Sequence, residues 1–278
     1  MHVEASTFCN AWCPACSRNN NGYGLKFNLV EQNLSPEIFQ TTVEQLSNLD
    51  GIQFCGNYGD PIACNHLDQL IEIAKKHTKK IQIHTNGSLR NIQWWQDLAR
   101  QLSSIEHDVW FGLDGIGEVH EVYRQATSYE KIIANAKAFI QAGGTATWQF
   151  IPYKHNEHQI KDCIRLSQQY KFSRFKLVKS FREITKALHW QTGQPFSLEK
   201  SDLYQTVFFT PKKGMVKKEN CMHLDQPGIY LAADGKVSPC CYFADFRRFD
   251  AIEEMFYNID IEASLNHPDK ICLKNCGT

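Results

Sequence analysis

The stretch Cys9-Asn10-Ala11-Trp12-Cys13-Pro14-Ala15-Cys16 places three cysteines close to the N-terminus in a C-x3-C-x2-C spacing. Three thiolates cannot complete the four-ligand shell of a tetrahedral metal ion or of a cubane iron-sulfur cluster. Either a distant histidine or cysteine supplies the fourth ligand, as in a structural zinc loop, or one metal position stays open to an exogenous molecule. Pro14 between the last two cysteines favours a loop that wraps around the metal.

The composition is that of a globular protein without charge bias. Of 278 residues, 42% are hydrophobic, and 30 basic residues balance 30 acidic ones. We therefore expect no nucleic-acid partner and no membrane partner. No apolar run approaches the roughly 20 residues that span a bilayer, and the N-terminus lacks the features of a signal peptide. This predicts a cytoplasmic protein whose 11 cysteines are metal ligands or buried thiols and not disulfides.

Short buried strands alternate with amphipathic helices from the N-terminus to about residue 180. Strands are predicted at 3–8, 52–55, 81–85, 109–113, 145–151 and 175–178. Helices are predicted at about 35–49, 67–74, 94–102, 129–142 and 159–170. This alternation indicates parallel βαβ units with right-handed crossovers. Six strands and five helices suit a partial (β/α)6 barrel, and an open doubly wound sheet is the alternative that periodicity does not separate from it.

Polar and glycine-rich loops follow the first four predicted strands. The cysteine loop follows the first strand, and residues 56–61, 85–87 and 114–115 follow the next three. In barrels of alternating strands and helices, chemistry gathers in the loops at the C-terminal ends of the strands. These four loops are therefore predicted to form one site.

The C-x3-C-x2-C triplet is the signature of the radical S-adenosylmethionine (SAM) enzymes, and the chain resembles that family. The resemblance implies a partial (β/α)6 TIM-like barrel and a [4Fe-4S] cluster held by Cys9, Cys13 and Cys16. It implies that the amino and carboxylate groups of SAM chelate the fourth iron, and that an external one-electron reductant such as flavodoxin or ferredoxin is a partner. Reductive cleavage of SAM would then yield a 5′-deoxyadenosyl radical that abstracts hydrogen from a substrate.

The loop after the second strand resembles the Gly-Gly-Glu-Pro motif of the family. In the family, this motif contacts the amino group of SAM. The matching residues are Tyr58, Gly59, Asp60 and Pro61, so tyrosine replaces the first glycine and aspartate replaces the glutamate. Aspartate still offers an acceptor to an ammonium group, although it is one methylene shorter. An ordinary Gly-Asp-Pro turn is the alternative interpretation.

Further segments resemble those that contact SAM in members of the family. Thr85 and Asn86 match the polar turn after the third strand, and Asp114 matches the aspartate of the fourth. Arg124, in a His…Arg stretch that begins at His120, is expected to pair with the SAM carboxylate, because a guanidinium suits that geometry. A solvated surface arginine is the alternative.

The resemblance also has a weaker match and a departure. Asn156, just past the fifth strand, resembles an asparagine that is common at this place in the family. Ala15 departs from the family, in which the residue before the third cysteine is usually an aromatic that packs near adenine. Trp12 lies in the same loop. The departure concerns the adenine contacts and leaves the cluster ligands intact.

The alternation of strands and helices ends near residue 182. We divide the chain into a barrel core at 1–182, a linker with closing elements at 183–219, and a cluster-binding module at 220–278. In that module, Asp234-Gly235 between two short β-prone runs predicts a hairpin. A helix is predicted at 252–257.

The pattern Cys221-x13-Gly235-x4-Cys240 resembles the opening of the SPASM extension, which carries auxiliary iron-sulfur clusters in many radical SAM enzymes. The cysteine count fits the shorter twitch version, with one auxiliary [4Fe-4S] cluster. The ligands that the resemblance implies are Cys221, Cys240, Cys272 and Cys276. Cys241 is an alternative to Cys240, and a four-cysteine zinc ribbon is the alternative to the cluster. The remaining cysteines are predicted to be buried thiols: Cys55, Cys64 and Cys163.

The sequence says least about the substrate. No separate peptide-recognition domain precedes the first strand, so we expect a small molecule or a short peptide. An auxiliary cluster that accepts or relays an electron favours oxidation or cross-linking. Basic residues near the ends of strands five and six either neutralise an anionic group or form a solvated face: Lys154, His155, Lys176, Lys179 and Arg182. The alternatives are a maturase of a ribosomally made peptide and, from another class, a non-enzymatic zinc-binding interaction protein.

Overall fold

The computed structural model of the chain describes residues 1–47, 49–180, 184–203, 228–241, 244 and 248–258. The strands are β1 (His2–Val3), β2 (Ile52–Phe54), β3 (Lys80–Thr85), β4 (Glu106–Gly112), β5 (Ala146–Phe150), β6 (Arg174–Leu177), β7 (Ile184–Leu188), β8 (Pro195–Leu198), β9 (Tyr230–Leu231) and β10 (Val237–Ser238). The helices are α1 (Pro36–Glu44), α2 (Leu67–His77), α3 (Ile92–Leu102), α4 (Glu118–Tyr123), α5 (Tyr129–Gln141), α6 (Ile160–Gln169) and α7 (Ile252–Asn258). Across these ranges, no helix has the length and apolarity needed to cross a membrane.

Strands β1 to β6 form a parallel sheet in which each strand pairs with the next one along the chain. In a doubly wound sheet the strand order reverses at a switch point. These six strands show no reversal, because the chain winds in one direction from β1 to β6. The topology confirms the partial (β/α)6 barrel and excludes the open doubly wound alternative.

Helices cover one face of this sheet. The side chains of Ile81 and Ile83 on β3 and of Phe111 on β4 are fully buried in the core. Trp95 of α3 packs on Phe111, with ring centroids 5.0 Å apart. Burial of each such side chain contributes about 1.5–3 kcal/mol. Because side chains alternate along a strand, the residues between these positions face the inside of the barrel.

The first helix begins where the sequence predicts. Ser35 is its N-cap, with an Oγ that accepts hydrogen bonds from the backbone N–H groups of Glu37 and Ile38, and Pro36 is the first helical residue. These are the expected roles of serine and proline at a helix start. Helix α4 is not predicted from the sequence, because six residues are too few to show a periodic apolar face.

The first strand is shorter than predicted. It covers His2–Val3 instead of 3–8, because the chain leaves the sheet beyond Glu4 and pairs with residues around 32–34. The Thr7 N–H donates to the Gln32 carbonyl at 2.9 Å, and Ser6 Oγ donates to Asn33 Oδ1 at 2.7 Å. These polar partners end the strand and start the cysteine loop.

The predicted C-terminal hairpin is present and continues the barrel sheet. Strand β9 pairs antiparallel with β10 and parallel with β1, with Tyr230 opposite His2. Gly235 in the connecting turn has a φ of +84°, which glycine adopts without strain. The helix predicted at 252–257 is α7. The division of the chain into three domains remains a prediction.

A second hairpin, formed by β7 and β8, was not predicted from the sequence. The two strands pair antiparallel, with Ala187 opposite Phe196. The hairpin contacts the cysteine loop through an apolar cluster whose buried members are Ala11, Cys13, Ala15, Tyr123, Tyr153, Ala187 and Leu198. It therefore covers one side of the loop that carries the three cysteines.

Candidate active site

The four loops that follow β1 to β4 meet at one rim of the barrel. The Asp60 carboxylate, after β2, accepts a hydrogen bond from the Asn86 N–H, after β3, at 2.7 Å. The Asn86 side chain donates to Asn10 Oδ1 in the cysteine loop at 3.1 Å. Arg124 pairs with Asp114, after β4, and its guanidinium also reaches the cysteine loop. The structure thus brings together the loops that the sequence predicts for one site.

Side chains outside the triplet hold the cysteine loop in shape. Asn19 Nδ2 donates to the carbonyl oxygens of Ala11 at 3.3 Å and of Cys13 at 3.2 Å. The buried guanidinium of Arg18 donates to the Thr7 carbonyl. Because the protein's own hydrogen bonds order the loop, less conformational entropy is lost when a ligand binds to it.

The thiols of the triplet lie in surroundings of low polarity. Burial raises the pKa of the Cys13 thiol to about 11, although the Arg124 guanidinium acts in the opposite direction. Burial also raises the pKa of Cys9, and the charges of Asp60 and Cys13 add to this effect. Thiols of this kind ionise when a cation compensates the thiolate charge, as it does on metal binding.

The donor set fits a [4Fe-4S] cluster better than a single ion. Within the described ranges, no three Cys, His, Asp or Glu side chains converge closely enough to hold one metal ion. A cluster binds each cysteine at a different iron atom, so its ligands are spread around it. Cys9, Cys13 and Cys16 share one apolar cluster, in which no fourth described cysteine takes part.

Asp60 connects the loops after β2 and β3. Its Oδ1 accepts from Thr85 Oγ1 at 2.8 Å and from the Ile62 N–H at 3.0 Å. Its Oδ2 accepts from the Asn86 N–H at 2.7 Å. Burial raises the pKa of this carboxyl, and the three hydrogen bonds oppose the rise. Since a carboxylate oxygen accepts two hydrogen bonds, Oδ2 keeps capacity for a ligand ammonium. Contacts of Asp60, Thr85 and Asn86 with SAM remain predictions.

The structure explains why glycine is needed at one position of this loop and not at its neighbour. Tyr58, which stands where the family has glycine, accepts a hydrogen bond from Lys26 Nζ at 2.6 Å through its hydroxyl. A Cβ on Gly59 would lie 1.9 Å from the Ser6 carbonyl oxygen, so only glycine fits there. Pro61 begins a short 3-10 turn that Asp60 caps.

Arg124 is a buried partner of Asp114 and not a surface arginine. Its Nε donates to Asp114 Oδ2 at 2.6 Å, and the side chains are 15% and 0% exposed. Asp114 Oδ1 accepts from the Ile151 N–H at 2.6 Å, so the carboxylate is held from two sides. The positive charge of the guanidinium also lowers the pKa of the Cys13 thiol, against the effect of burial. Binding of the SAM carboxylate by Arg124 remains a prediction.

Asn156 and His120 hold the backbone around this ion pair. Asn156 Nδ2 donates to the carbonyls of Asp114 at 2.9 Å and Ile151 at 3.0 Å, and its Oδ1 accepts from the Tyr153 N–H at 2.7 Å. His120 Nδ1 accepts from the Asp114 N–H at 3.0 Å. Both side chains are fully buried. Through these hydrogen bonds, Asn156 and His120 position Asp114.

Glu4 holds the loop after β2 and was not predicted from the sequence as a site residue. Its Oε1 accepts from the Tyr58 N–H at 2.6 Å, and the backbones of Asn57 and Gly59 also act to lower its pKa. Its Oε2 accepts from the Tyr230 hydroxyl at 2.5 Å. Glu4 is 1% exposed, and burial raises its pKa against the effect of these donors. The available sequence signal is a carboxylate between apolar residues of a predicted strand.

Of the four predicted auxiliary ligands, Cys240 lies within the part of the chain that the structure describes. Cys221, Cys272 and Cys276 lie outside the described residues, and so does Arg182 of the predicted basic cluster. Cys240 and Cys241 are half-buried. Cys241 packs beside Tyr230, and its carbonyl accepts a hydrogen bond from Asn57 Nδ2 at 2.7 Å. The hairpin is therefore attached to the loop after β2.

Two of the three predicted buried thiols are fully buried, namely Cys64 and Cys163. Cys55 is half-buried, because it follows the last residue of β2 at the rim. The predicted basic cluster does not stay together. Lys154 pairs with Glu157 and Asp202. The remaining described members are His155, which stacks on Tyr153, Lys176, which lies over Trp110, and the half-buried Lys179.

A family model described as the Radical SAM superfamily matches residues 3–167, which is more than half of the chain. The matched range includes the cysteine triplet and all four rim loops. The chain belongs to the radical SAM superfamily and is a radical SAM enzyme, which implies a [4Fe-4S] cluster and SAM. The alternative of a non-enzymatic zinc-binding protein does not agree with this finding.

Solved structures share the fold. Native anSMEcpe with bound AdoMet matches with a TM-score of 0.65 at 14% identity, over 99% of this chain and 87% of that one. Streptococcus suis SuiB bound to S-adenosylmethionine matches with a TM-score of 0.68 at 16% identity, over 99% and 70%. SuiB bound to the precursor peptide SuiA gives 0.66 at 14%, over 99% and 69%. At these identities the similarity shows the fold alone. A comparison with curated proteins finds no match.

Proposed function

We propose that Cys9, Cys13 and Cys16 hold the [4Fe-4S] cluster and that the rim loops bind SAM beside it. When bound, this pair supplies a 5′-deoxyadenosyl radical that abstracts hydrogen from the substrate. The observation that carries the proposal is the gathering of three thiols from one short loop, with a buried arginine beside them and no fourth described cysteine.

The rim residues have separate tasks in this proposal. The backbone at Tyr58, Gly59 and Pro61 and the spare acceptor site on Asp60 Oδ2 receive the amino group of SAM. Arg124, fixed through its Nε by Asp114, has further N–H donors for the carboxylate. Tyr123 and Tyr153, whose ring centroids lie 5.0 Å apart, belong to the apolar cluster that excludes water from the cysteine loop.

We further propose an auxiliary [4Fe-4S] cluster that accepts or relays an electron after hydrogen abstraction. The ligands are Cys221, Cys240, Cys272 and Cys276. The packing of Cys241 beside Tyr230 supports Cys240 as the ligand from this pair, since adjacent residues point in different directions. An electron acceptor of this kind favours oxidation or cross-linking of a small molecule or a short peptide.

A maturase of a ribosomally made peptide is the second candidate function. SuiB, which shares the fold over 99% of this chain, has been crystallised with its precursor peptide SuiA. This supports a peptide as substrate without identifying it. In either case the proposed electron donor is an external one-electron reductant of the flavodoxin or ferredoxin type.

Anaerobic purification followed by reduction with dithionite tests the proposal. We expect a brown protein with about eight iron atoms per chain, whereas about four would contradict the auxiliary cluster. The reduced protein should convert SAM to methionine and 5′-deoxyadenosine. Cys13→Ala should lose the iron of one cluster and all SAM cleavage, whereas Cys163→Ala, at a buried thiol of α6, should keep both. A colourless protein that holds zinc would contradict the proposal.

The auxiliary ligand is tested by a matched pair of neighbouring variants. Cys240→Ala should lower the iron content by about four atoms per chain and leave the SAM-bound cluster in place. Cys241→Ala should keep the full iron content. Equal iron losses in both variants, or the reverse pattern, would contradict the assignment of Cys240.

A further inference from the structure

The inner face of the sheet carries polar and aromatic side chains that the SAM site does not use. On β3 and β4, alternation buries Ile83 and Phe111 under the helices and turns His84 and Trp110 to the inside. The same alternation on β6 turns Lys176 inward, since Phe175 and Leu177 on either side pack against the core. The strands thus line the barrel with a separate group of residues.

These inner residues form one ordered surface. The rings of His84 and Trp110 stack with centroids 4.4 Å apart and planes 15° apart. Gln53 Nε2 lies 3.3 Å from His84 Nε2, and Lys176 Nζ lies 4.9 Å from the centroid of the Trp110 ring. Trp110 Nε1 donates to Asp108 at 2.6 Å, which fixes the indole in its plane. The result is an aromatic stack with an ammonium group over its Trp110 ring.

Charge on this surface comes from Lys176. Asp108 pairs with Arg174, so these two charges compensate each other. The pKa of His84 is lowered to about 3 by burial and by the nearby His2 and Lys176, which keeps its imidazole neutral at physiological pH. Within the described ranges, no carboxylate forms an ion pair with Lys176, in contrast to Lys154 on the outside. A positive charge beside neutral donors is matched by a ligand with one negative charge.

The register of the sheet connects this surface to the rim. Gly112 of β4 lies opposite Gln149 of β5, which lies opposite Lys176 of β6. A Cβ on Gly112 would lie 2.8 Å from the Arg124 guanidinium. The row formed by Gly112, Gln149 and Lys176 therefore adjoins Arg124 of the predicted SAM site. Gly112 is the member of this row next to the guanidinium, and it has no bulky side chain to separate the two.

We propose, resting on the proposed function, that Lys176, whose ammonium lies over the Trp110 ring of the stack, binds a carboxylate of the substrate, with the Gln149 amide as a neutral hydrogen-bond donor. The aliphatic part of the substrate next to the carboxylate then lies beside the His84–Trp110 stack and faces the rim where hydrogen abstraction occurs. A carboxylate fits better than a phosphate, because a phosphate group carries about two negative charges whereas Lys176 supplies one positive charge. The substrate class is an aliphatic carboxylic acid, free or as an acidic side chain of a peptide.

Binding of butyrate to the holoenzyme tests this inference, with potassium chloride added to keep the ionic strength constant and saturating SAM present. Saturation-transfer NMR measures the dissociation constant for wild type, Lys176→Met, Lys176→Arg and Lys154→Met. We expect Lys176→Met to weaken butyrate binding about tenfold or more and Lys176→Arg to restore most of it. Lys154→Met, which removes an outer ammonium, should leave both butyrate binding and SAM cleavage unchanged.

The outcomes separate this inference from the proposed function. Absence of saturable butyrate binding to wild type, equal affinity in Lys176→Met, or tighter Lys176-dependent binding of inorganic phosphate than of butyrate would each overturn the carboxylate site. SAM cleavage by the same wild-type preparation would leave the proposed function intact in these cases. A wild-type preparation that does not cleave SAM would instead overturn the proposed function.

Discussion

The loops after β2 and β4 each carry a buried aspartate, but the protein compensates the two carboxylates differently. Asp60 accepts hydrogen bonds from neutral donors, whereas Asp114 pairs with the Arg124 guanidinium at 2.6 Å. Removing the charge of Asp114 leaves a buried cation unpaired, which is more costly than leaving neutral groups unpaired. Asp114 therefore mainly stabilises the barrel, while Asp60 mainly sets the relative position of two loops.

The largest effect is expected from Asp114→Asn, which keeps the shape of the side chain and removes its charge. Loss of one partner of a buried ion pair lowers the free energy of unfolding by about 3–5 kcal/mol. Urea unfolding of the anaerobically purified protein measures this loss.

An exposed ion pair provides the control for this variant. Asp97 and Arg100 on α3 pair at 2.5 Å with more than half of each side chain exposed, so Asp97→Asn should change the unfolding free energy by less than about 1 kcal/mol. Similar losses in Asp114→Asn and Asp97→Asn would mean that the β4 ion pair contributes no more than a surface pair.

Asp60→Asn tests the other side of the comparison and should have an intermediate effect. Whichever oxygen the amide nitrogen replaces, it faces the backbone N–H of Ile62 or Asn86, and one buried donor loses its acceptor. We expect a loss of about 1–3 kcal/mol and weaker SAM binding in equilibrium dialysis, because the loop after β3 shifts. A variant as unstable as Asp114→Asn would remove the distinction between the two aspartates.

Tyr230→Phe extends the comparison to Glu4 and should have the smallest effect. It removes a hydroxyl donor from a carboxylate that keeps its backbone donors, so the free energy of unfolding should fall by about 1 kcal/mol. Tyr23→Phe is the control, because that ring is 60% exposed and should change nothing measurable. If Tyr230→Phe were as stable as wild type, the hairpin would not help to hold the loop after β2.

The sequence predicted those structural elements that are determined by neighbouring residues in the chain. Ser35 and Pro36 predict the start of α1, and Asp234-Gly235 predicts the hairpin of β9 and β10, because capping and turn formation depend on adjacent residues. The sequence also predicted that the cysteine triplet and the loops after β2 to β4 lie together. This prediction was possible because the C-terminal ends of parallel strands lie at one rim of the barrel.

The remaining features depend on contacts between residues that are distant in sequence. The role of Glu4 depends on Tyr230, and nothing near Glu4 in the sequence indicates that partner. From the sequence alone, Arg124 could also be interpreted as a solvated surface residue. The structure shows that it pairs with Asp114, whose carboxylate also accepts a hydrogen bond from the Ile151 N–H. Lys176 was predicted as part of a basic cluster that the structure divides, because inward or outward orientation depends on strand register.

The attachment of the C-terminal hairpin to β1 has a consequence for how the chain matures. Glu4 and the hydroxyl group that completes its hydrogen bonds are 226 positions apart, and β1 has β2 and β9 as its two neighbours. During synthesis on the ribosome, the first strand can meet β2 early, but its second neighbour emerges much later. The loop that Glu4 holds therefore reaches its final form only after all six strands β1 to β6 have been translated.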